Sequence, residues 1–249
     1  MLKIENTEVM GWEAAIRGMR NPKNSWKKSD SLFIPRQFCD DEDTWDLAET
    51  CSGYAPIIKE NDHTLMMNLA HGGPVHAKYR RMITVYLDIT APLYWWKEFD
   101  TYKVGTVANS CSTMHKIHAK EFTRDDFSVE HLVGEGVTGD HVDDNPYDVM
   151  TMVINCLNYT RDAYIEYLKM PTKDTEAHKK HAKKLWYNLI QLLPTSYNQK
   201  RTVMLNYEVL VNIYESRRHH KLDEWHTFCD WIESLPYSEL ITGAKEEES

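Results

Sequence analysis

Four segments in the second half of the chain repeat their apolar residues every three to four positions. This spacing places apolar side chains on one face of an α-helix, and that face must be buried against other elements. The predicted helices span residues 148–169, 174–193, 198–217 and 222–235. Asp174 is the predicted N-cap of the second helix, and Pro194 ends it. A chain with four such faces is constrained to a helix-dominated fold.

The first half of the chain has one clear strand signal. Residues 82–90 alternate in polarity, are rich in β-branched side chains and run into Pro92, as a strand followed by a break does. Helices are predicted at 92–100, where the proline suits a first turn, and at 109–120. The sequence therefore predicts an α+β fold that is helix-dominated, with a modest sheet built mostly from the first half.

An acidic segment with several glycines separates the two halves. Residues 125–148 carry eight acidic residues and no Lys or Arg, which indicates either a solvated surface connection or a lid or cation-binding loop. The spacing does not match an EF-hand, so no metal site is predicted. We expect a single domain with a mixed α/β part at 1–124, a helical part at 149–236 and a polar tail at 237–249.

The charge balance narrows the possible partners. The chain has 29 Lys and Arg against 38 Asp and Glu, a net charge of −9, which disfavours nucleic-acid polymers because these are bound mainly through clustered basic residues. A small anionic ligand held by one or two arginines stays open. No uncharged apolar run approaches the length of a membrane span, and charges at Lys3, Glu5 and Glu8 disfavour a signal peptide. We expect no membrane association and a cytoplasmic location.

The spacing of some histidines and glycines suggests a metal or phosphate site, but each of these features also has a simpler structural explanation. His115 and His118, like His178 and His181, are three apart and would share a helix face, as metal ligands often do, but further ligands are not indicated. The second pair lies among lysines, which favours a solvated face. The glycine-containing segment 71–76 could hold a phosphate or simply form a turn. The cysteines form no C-x-x-C pair and are predicted to be reduced thiols: Cys39, Cys51, Cys111, Cys156 and Cys229.

A more specific pattern lies near the C-terminus. Asn206, Asn212 and Arg217 follow Leu193-Pro194 in a predicted helix. Asn is unfavourable inside a helix because its amide competes for backbone partners. At about 100° per residue, Asn206 and Arg217 would lie within about 20° of one face. A guanidinium there can form a fork with a carboxylate or phosphate, although two exposed amides and an arginine at a helix C-terminus would explain the pattern equally.

The pattern resembles the flavin-dependent thymidylate synthases. In that family a Leu-Pro ends one helix, and the next carries an Asn, a second Asn six residues on and an Arg five beyond it, the same intervals as here. Trp225 falls, with one inserted residue, where the family often has a Trp. Upstream, residues 83–103 (ITVYLDITAPLYWWKEFDTYK) resemble the family's strand, proline and aromatic approach to its signature. The resemblance covers about residues 60–235.

The resemblance implies an FAD-dependent methyltransferase. In the family, reduced flavin takes a one-carbon unit from methylenetetrahydrofolate, with NADPH as reductant, and delivers it to C5 of a pyrimidine nucleotide such as dUMP. Arg217 would then be catalytic and substrate-binding, because it would contact the pyrimidine and polarise its ring. Asn206, Asn212 and Lys103 would bind the cofactor. Further substrate-binding positions would be Glu98, Asn109, Cys111 and Ser112. A homo-oligomer is implied, with a tetramer favoured and sites shared between chains.

The sequence departs from the family at several charged positions. Thr101, Tyr102 and Lys103 stand where the signature has Arg-His-Arg, and Glu208 stands where the family has a flavin-contacting Arg. Each charge-assisted contact to a phosphate is worth about 1.5–3 kcal/mol. The departures keep an alternative open, in which the chain is a non-catalytic descendant that serves as a nucleotide-binding or protein-interaction module.

Overall fold

The computed structural model describes residues 1–35, 54–132, 145–171 and 175–243. Its strands are β1 (Lys3–Met10), β2 (Leu32–Pro35), β3 (Tyr54–Ile57), β4 (Thr84–Pro92), β5 (Val107–Ser110) and β6 (Asn198–Asn206). Its helices are α1 (Trp12–Arg20), α2 (Glu60–His71), α3 (Leu93–Phe99), α4 (Thr113–Lys116), α5 (Pro146–Lys169), α6 (Glu176–Leu192), α7 (Tyr207–Arg217), α8 (Asp223–Glu233) and α9 (Glu239–Thr242).

The strands form one main sheet and one small ribbon. Strand order in the main sheet is β1-β4-β6-β5, and β2 pairs antiparallel with β3. Along β4, Val85 and Leu87 are buried while Tyr86 is exposed, which is the period-two alternation of a half-buried strand. Asp88 connects β4 to both of its neighbours, accepting from the Asn6 amide at 2.9 Å and the Thr202 hydroxyl at 2.6 Å.

The prediction of a helix-dominated α+β fold is confirmed. Three of the four predicted helices are present, as α5, α6 and α8, with their ends shifted by at most two residues. The predicted strand at 82–90 is β4, and the predicted helix at 92–100 is α3. These elements have strong single-face periodicity or a proline at the boundary, and both signals act locally along the chain.

The prediction of one helix over 198–217 is wrong. The structure has strand β6 followed directly by helix α7, so the part at 149–236 is not wholly helical. Val203 and Leu205 are buried with an exposed or half-buried residue on either side, as in a strand. Asn206 ends the strand with extended backbone angles, φ −137° and ψ 168°, and its side-chain oxygen accepts the Val209 N–H at 3.1 Å as the N-cap of α7.

Two further local predictions are wrong. The segment 109–120 is not one helix, because β5 runs to Ser110 and only the short α4 follows, with Ser112 as its N-cap. Helix α6 is capped by Thr175, whose side chain accepts the His178 N–H at 3.2 Å. The predicted N-cap, Asp174, lies outside the described residues.

The segments predicted to be connection and tail are partly structured. Residues 133–144 of the acidic connection lie outside the described part of the chain. On either side of them, Phe127 is buried and α5 begins at Pro146, so the described ends of the connection belong to packed structure. In the predicted polar tail 237–249, α9 buries Leu240 and Ile241, so a wholly polar tail is wrong for residues 237–243.

The chain divides into two compact units. The first contains Met1, Thr90–Glu98 and Ser110–Lys200, and the second contains Leu2–Ile89, Phe99–Asn109 and Arg201–Ser249. The core of the first unit is a cluster of buried apolar residues: Ile117, Phe122, Phe127, Met150, Ile154, Leu157 and Leu189. In the second unit aromatic rings meet edge-on. The ring centroids of Trp12 and Tyr207 are 5.3 Å apart, and those of Phe99 and Phe228 are 6.0 Å apart. Among the described residues no helix is long and apolar enough to cross a membrane.

Candidate functional site

The guanidinium of Arg217 is held by two aromatic residues of the second unit. Its Nε donates a hydrogen bond to the Tyr102 hydroxyl at 2.9 Å. Its central carbon lies 4.8 Å from the ring centroid of Trp225 and 5.7 Å from that of Tyr102, and the two rings meet edge-on at 6.2 Å. Cation–π attraction and the hydrogen bond together orient the guanidinium plane.

Three elements bring these residues together. Arg217 is the last residue of α7, Trp225 lies in the first turn of α8, and Tyr102 follows α3 in a turn where its N–H donates to the Phe99 carbonyl at 3.0 Å. The connection between α7 and α8 is short and internally hydrogen-bonded, with the Leu222 N–H donating to His220 Nδ1 at 3.2 Å. The last turn of a helix also favours a cation such as Arg217.

A cavity of about 160 Å³ lies beside Tyr102. It is lined by Phe99, Asp100, Tyr102, Lys103, Thr106 and Ala108. Asp100 is paired with Arg201 at 2.7 Å, while Lys103 is exposed at the rim. The cavity is large enough for a small polar group.

Asn206 lies against the loop that carries Lys103. Gly105 in this loop has φ +84°, and a Cβ atom there would lie 3.0 Å from Asn206 Nδ2 and 3.1 Å from Val209 Cγ2. The left-handed backbone and the close approach both require glycine. The structure thus brings Lys103, Gly105 and Asn206 to one place in the second unit.

Asn212 and Arg217 lie on different faces of α7. Their offset of five positions corresponds to about 140° around the helix axis, and Asn212 is exposed. The predicted shared face of Asn206 and Arg217 is wrong, because Asn206 precedes the helix instead of lying within it. Asn206 and Arg217 lie at opposite ends of α7, about 16 Å apart along its axis. They can therefore meet the same ligand only if it is extended.

The other predicted site residues belong to both units. Asn109 is exposed in β5 of the second unit. Glu98, Cys111 and Ser112 belong to the first unit. Glu98 is half-buried in α3 and Cys111 is exposed, while the Ser112 hydroxyl accepts the His115 N–H at 3.1 Å as a helix cap. Sequence reasoning did not find the role of Tyr102 or Gly105, although an aromatic residue in the signature register and a glycine two residues after Lys103 were visible signals.

Glu208 is turned toward a basic residue of its own unit. Its carboxylate lies 3.9 Å from Arg80, and the two side chains are 14% and 10% exposed. Arg80 follows the glycine-containing segment 71–76, at the end of which the chain forms a short helical turn, Ala77–Met82. Glu208 therefore occupies a partly buried ion pair at the position where the resemblance implies a flavin-contacting arginine.

Three of the four histidines in the predicted pairs, His118, His178 and His181, are packed against tyrosines of the first unit, whereas His115 is exposed. His178 is buried and stacks on Tyr167 with ring centroids 4.1 Å apart, so the predicted solvated face is wrong for this residue. His118 meets Tyr164 edge-on at 5.1 Å, and burial, with Lys116 nearby, lowers the pKa of its imidazole. Within the described ranges no group of three or more His, Cys, Asp or Glu side chains could hold a metal ion.

Comparison with known proteins identifies the fold. No family model matches the chain and no curated protein matches it. Solved structures do: a flavin-dependent thymidylate synthase ThyX from Helicobacter pylori with FAD and dUMP is 14% identical over 97% of each chain, with a TM-score of 0.55. A second Helicobacter pylori ThyX complex with FAD and dUMP is also 14% identical, over 96% of this chain and 97% of that chain, with a TM-score of 0.56. The chain has a ThyX-like fold.

Proposed function

We propose that the chain binds FAD and a pyrimidine deoxynucleotide and transfers a one-carbon unit, as methyl or hydroxymethyl, to the pyrimidine. The observation that carries the proposal is the guanidinium of Arg217, fixed by Tyr102 and Trp225 at the end of α7. It is supported by the ThyX-like fold, whose solved examples contain FAD and dUMP.

Arg217 is the proposed catalytic residue. A guanidinium is permanently charged and planar, and it can polarise a pyrimidine carbonyl through directed N–H groups. Asn109, Glu98, Cys111 and Ser112 are the proposed further substrate contacts, each exposed or half-buried.

The residues around the N-terminus of α7 fit a flavin cofactor. The amide nitrogen of Asn206 can donate to the polar edge of a flavin ring, and the exposed amide of Asn212 can both donate and accept. Lys103 is an exposed cation suited to a pyrophosphate. FAD, when bound and reduced, would supply the electrons that convert the transferred carbon to a methyl group.

The remaining partners follow from the same proposal. Methylenetetrahydrofolate is the proposed one-carbon donor and NADPH the proposed reductant. We also propose a homo-oligomer, a tetramer being favoured, in which several chains contribute to one site, as the resemblance implies. We place the protein in the cytoplasm and propose no nucleic-acid polymer or membrane as partner.

A second function is favoured by one specific observation. Glu208 is negatively charged and paired with Arg80, so it cannot replace the positive flavin contact of the family. In the segment Thr101, Tyr102 and Lys103, only Lys103 is positively charged. A non-catalytic descendant would retain nucleotide binding without turnover. Transfer of label from methylenetetrahydrofolate to the pyrimidine in the presence of NADPH distinguishes the two: product shows an enzyme, whereas binding without product shows the descendant.

The direct test of the proposal is flavin binding. The purified protein, mixed with FAD and separated from free ligand, is expected to keep the flavin absorption bands, and calorimetry is expected to give a saturable isotherm. A protein that retains no flavin and shows no heat of binding would contradict the proposal.

Replacement of Arg217 tests the nucleotide site. Arg217→Ala is expected to weaken dUMP binding by more than about 1.5 kcal/mol, or more than about tenfold, because a charge-assisted contact is lost. Arg218→Ala is the matched control, since Arg218 is the next residue, is exposed, and lies over the Tyr214 ring at 5.9 Å instead. Equal affinities for the two variants in a calorimetric titration would reduce Arg217 to a helix-end charge.

A further inference from the structure

We propose that helix α5 pairs antiparallel with the α5 of a second copy of this chain through an apolar stripe. We call this stripe the α5 seam, and it consists of Val149, Met152, Cys156, Tyr159 and Ala163. The inference rests on the first unit alone and does not depend on flavin or nucleotide binding.

Helix α5 has two apolar faces, and in the part of the chain that the structure describes only one of them is packed against other residues. Met150, Ile154 and Leu157 enter the core of the first unit. The seam lies on another side of the helix, where Val149 is 41%, Met152 57% and Tyr159 79% exposed. Cys156 is also exposed and Ala163 is half-buried. A surface helix of a monomer needs one apolar face, so the second face indicates a partner.

The spacing of the seam indicates that the partner is a helix. Its residues follow one another at intervals of three, four, three and four, which is the heptad repeat that keeps a stripe facing a second helix over several turns. The seam continues over most of α5, a helix of 24 residues and about 36 Å. A flat sheet or an irregular loop would not require this repeat.

The side-chain sizes fit an antiparallel copy of the same helix. In the heptads of the seam, Cys156 and Ala163 occupy the first position, and Met152 and Tyr159 occupy the fourth. An antiparallel pair that sets first positions against fourth positions places Met152 opposite the partner's Ala163, and Tyr159 opposite the partner's Cys156. Large side chains then meet small ones, so the two surfaces interdigitate without voids. A two-fold axis generates each contact twice, which is the usual form of a homodimer interface.

The charges at the two ends of α5 select the antiparallel direction. In the same register Asp148 lies beside the partner's Lys169, and Lys169 lies beside the partner's Asp148; both residues are exposed. A parallel pair would place Asp148 against its own copy. Glu166, at the C-terminal end of the seam, would lie near the N-terminus of the partner helix, where a carboxylate is stabilised.

The interface is small, which sets the concentration range of the test. One helix pair of this length buries less than the 1,200 Å² or so typical of stable complexes, so we expect a dissociation constant in the micromolar range. Sedimentation of the full chain from about 1 to about 200 µM is expected to show a reversible association with that constant.

Two substitutions in the seam are compared with one outside it. Met152→Glu and Tyr159→Glu each place a charge in the proposed interface and are expected to weaken association at least tenfold. Leu168→Glu is the control, because Leu168 is 41% exposed on the same helix but off the seam. Since all three positions are exposed, circular dichroism is expected to show an unchanged fold.

Charge reversal tests the direction of pairing. Asp148→Lys alone and Lys169→Asp alone are expected to weaken association, and the double variant is expected to restore it, because the favourable pairs are re-formed with opposite sign. A short bismaleimide is expected to link two copies through Cys156, and Cys156→Ser to abolish this product, whereas a Cys111→Ser variant retains it.

Three outcomes would overturn the proposal. The first is a monomer throughout the concentration range. The second is an association with the same constant in wild type and Met152→Glu, which would assign it to another surface. The third is a double charge variant no stronger than the single ones, which would exclude the antiparallel register. A tetramer that Met152→Glu reduces to dimers would support the seam as one of two interfaces.

Discussion

The most completely buried ionised group among the described residues is the carboxylate of Asp62. It accepts the Arg20 Nε at 2.6 Å, the hydroxyls of Ser29 and Ser31 at 2.8 and 2.7 Å, and backbone N–H groups of Asp30 and Ser31 at 3.0 Å. Burial raises the pKa of this carboxyl, but the hydrogen bonds outweigh burial and lower the pKa to about 2. The group ties the segment after α1 to α2.

The depressed pKa of Asp62 predicts a pH dependence of stability. Because the folded pKa is about 2 and the unfolded value is 3.8, the stabilisation is fully present above about pH 4 and is lost as the pH falls toward 2. The loss amounts to about 2 kcal/mol. Urea unfolding between pH 5 and pH 2 measures it, and this part of the pH dependence is expected to be absent in Asp62→Asn.

Asp62→Asn is also expected to destabilise the protein at neutral pH. The variant leaves the buried Arg20 without its counter-charge, which typically costs about 3–5 kcal/mol. Glu13→Gln is the control, because it removes an exposed ion pair with Arg17 at 3.8 Å that is worth less than about 0.5 kcal/mol. Similar urea midpoints for the two variants would contradict this account of Asp62.

At the scale of elements, local patterns predict helices better than they predict the junction between a strand and a helix. The sequence predicts α5, α6 and α8 because one apolar face of each repeats along the helix. It fails at β6 because Val203 and Leu205 run without a break into the apolar residues of α7. The alternation of Val203, Leu205 and Tyr207, and an Asn at a position suited to an N-cap, were the signals that distinguish strand from helix.

The candidate site was predictable only in part for a related reason. The spacing of Asn206, Asn212 and Arg217 is a local feature, and it is the reason that the end of β6 and helix α7 were chosen as the candidate site. The contact between Arg217 and Tyr102 joins residues 115 positions apart, and the approach of Gly105 to Asn206 joins separate elements. Such pairs are set by tertiary packing, which no short spacing records.

Asn206 is expected to contribute to stability as the N-cap of α7. Asn206→Ala removes the acceptor of the Val209 N–H and should cost about 1 kcal/mol in urea unfolding. Asn206→Asp keeps the accepting oxygen and should unfold like wild type. If the amide nitrogen contacts flavin, Asn206→Asp weakens FAD binding while leaving stability unchanged. If Asn206→Asp keeps both its stability and its affinity for FAD, the Asn206 amide nitrogen has no role in binding the cofactor.

Two glycines with similar positive φ angles are expected to lose different amounts of stability when replaced by alanine. Gly11 has φ +94° and Gly73 has φ +88°, but a Cβ at Gly11 would lie 2.1 Å from the Met82 carbonyl oxygen, whereas nothing lies within 4 Å at Gly73. Gly73→Ala should cost about 1 kcal/mol for the backbone alone. Gly11→Ala should cost more than about 3 kcal/mol, because β1, α1 and the turn at Met82 must move apart. Equal urea midpoints would show that the backbone conformation alone decides the cost.

For the whole molecule, the net charge of −9 bears directly on ligand binding. Both proposed ligands are anions, and Arg217 and Lys103 are the cations proposed to contact them, whereas Arg201 and Arg80 lie beside carboxylates at 2.7 and 3.9 Å. Long-range attraction therefore contributes little, and affinity must come from contacts within the site. Apolar burial of a flavin ring and hydrogen bonds to amides are then the main sources of binding energy.

Binding of FAD is expected to raise the thermal stability of the whole chain. A ligand at 100 times its dissociation constant stabilises the folded state by about 2.7 kcal/mol, which for a protein of this size corresponds to a Tm increase of about 5–10 °C. Riboflavin, which lacks the pyrophosphate, should give a smaller increase. If Lys103 holds the pyrophosphate, Lys103→Ala reduces the Tm increase with FAD but not the Tm increase with riboflavin. Lys97→Ala, at another exposed lysine, is the control and is expected to change neither increase. Equal increases with FAD in the two lysine variants would remove Lys103 from the cofactor site.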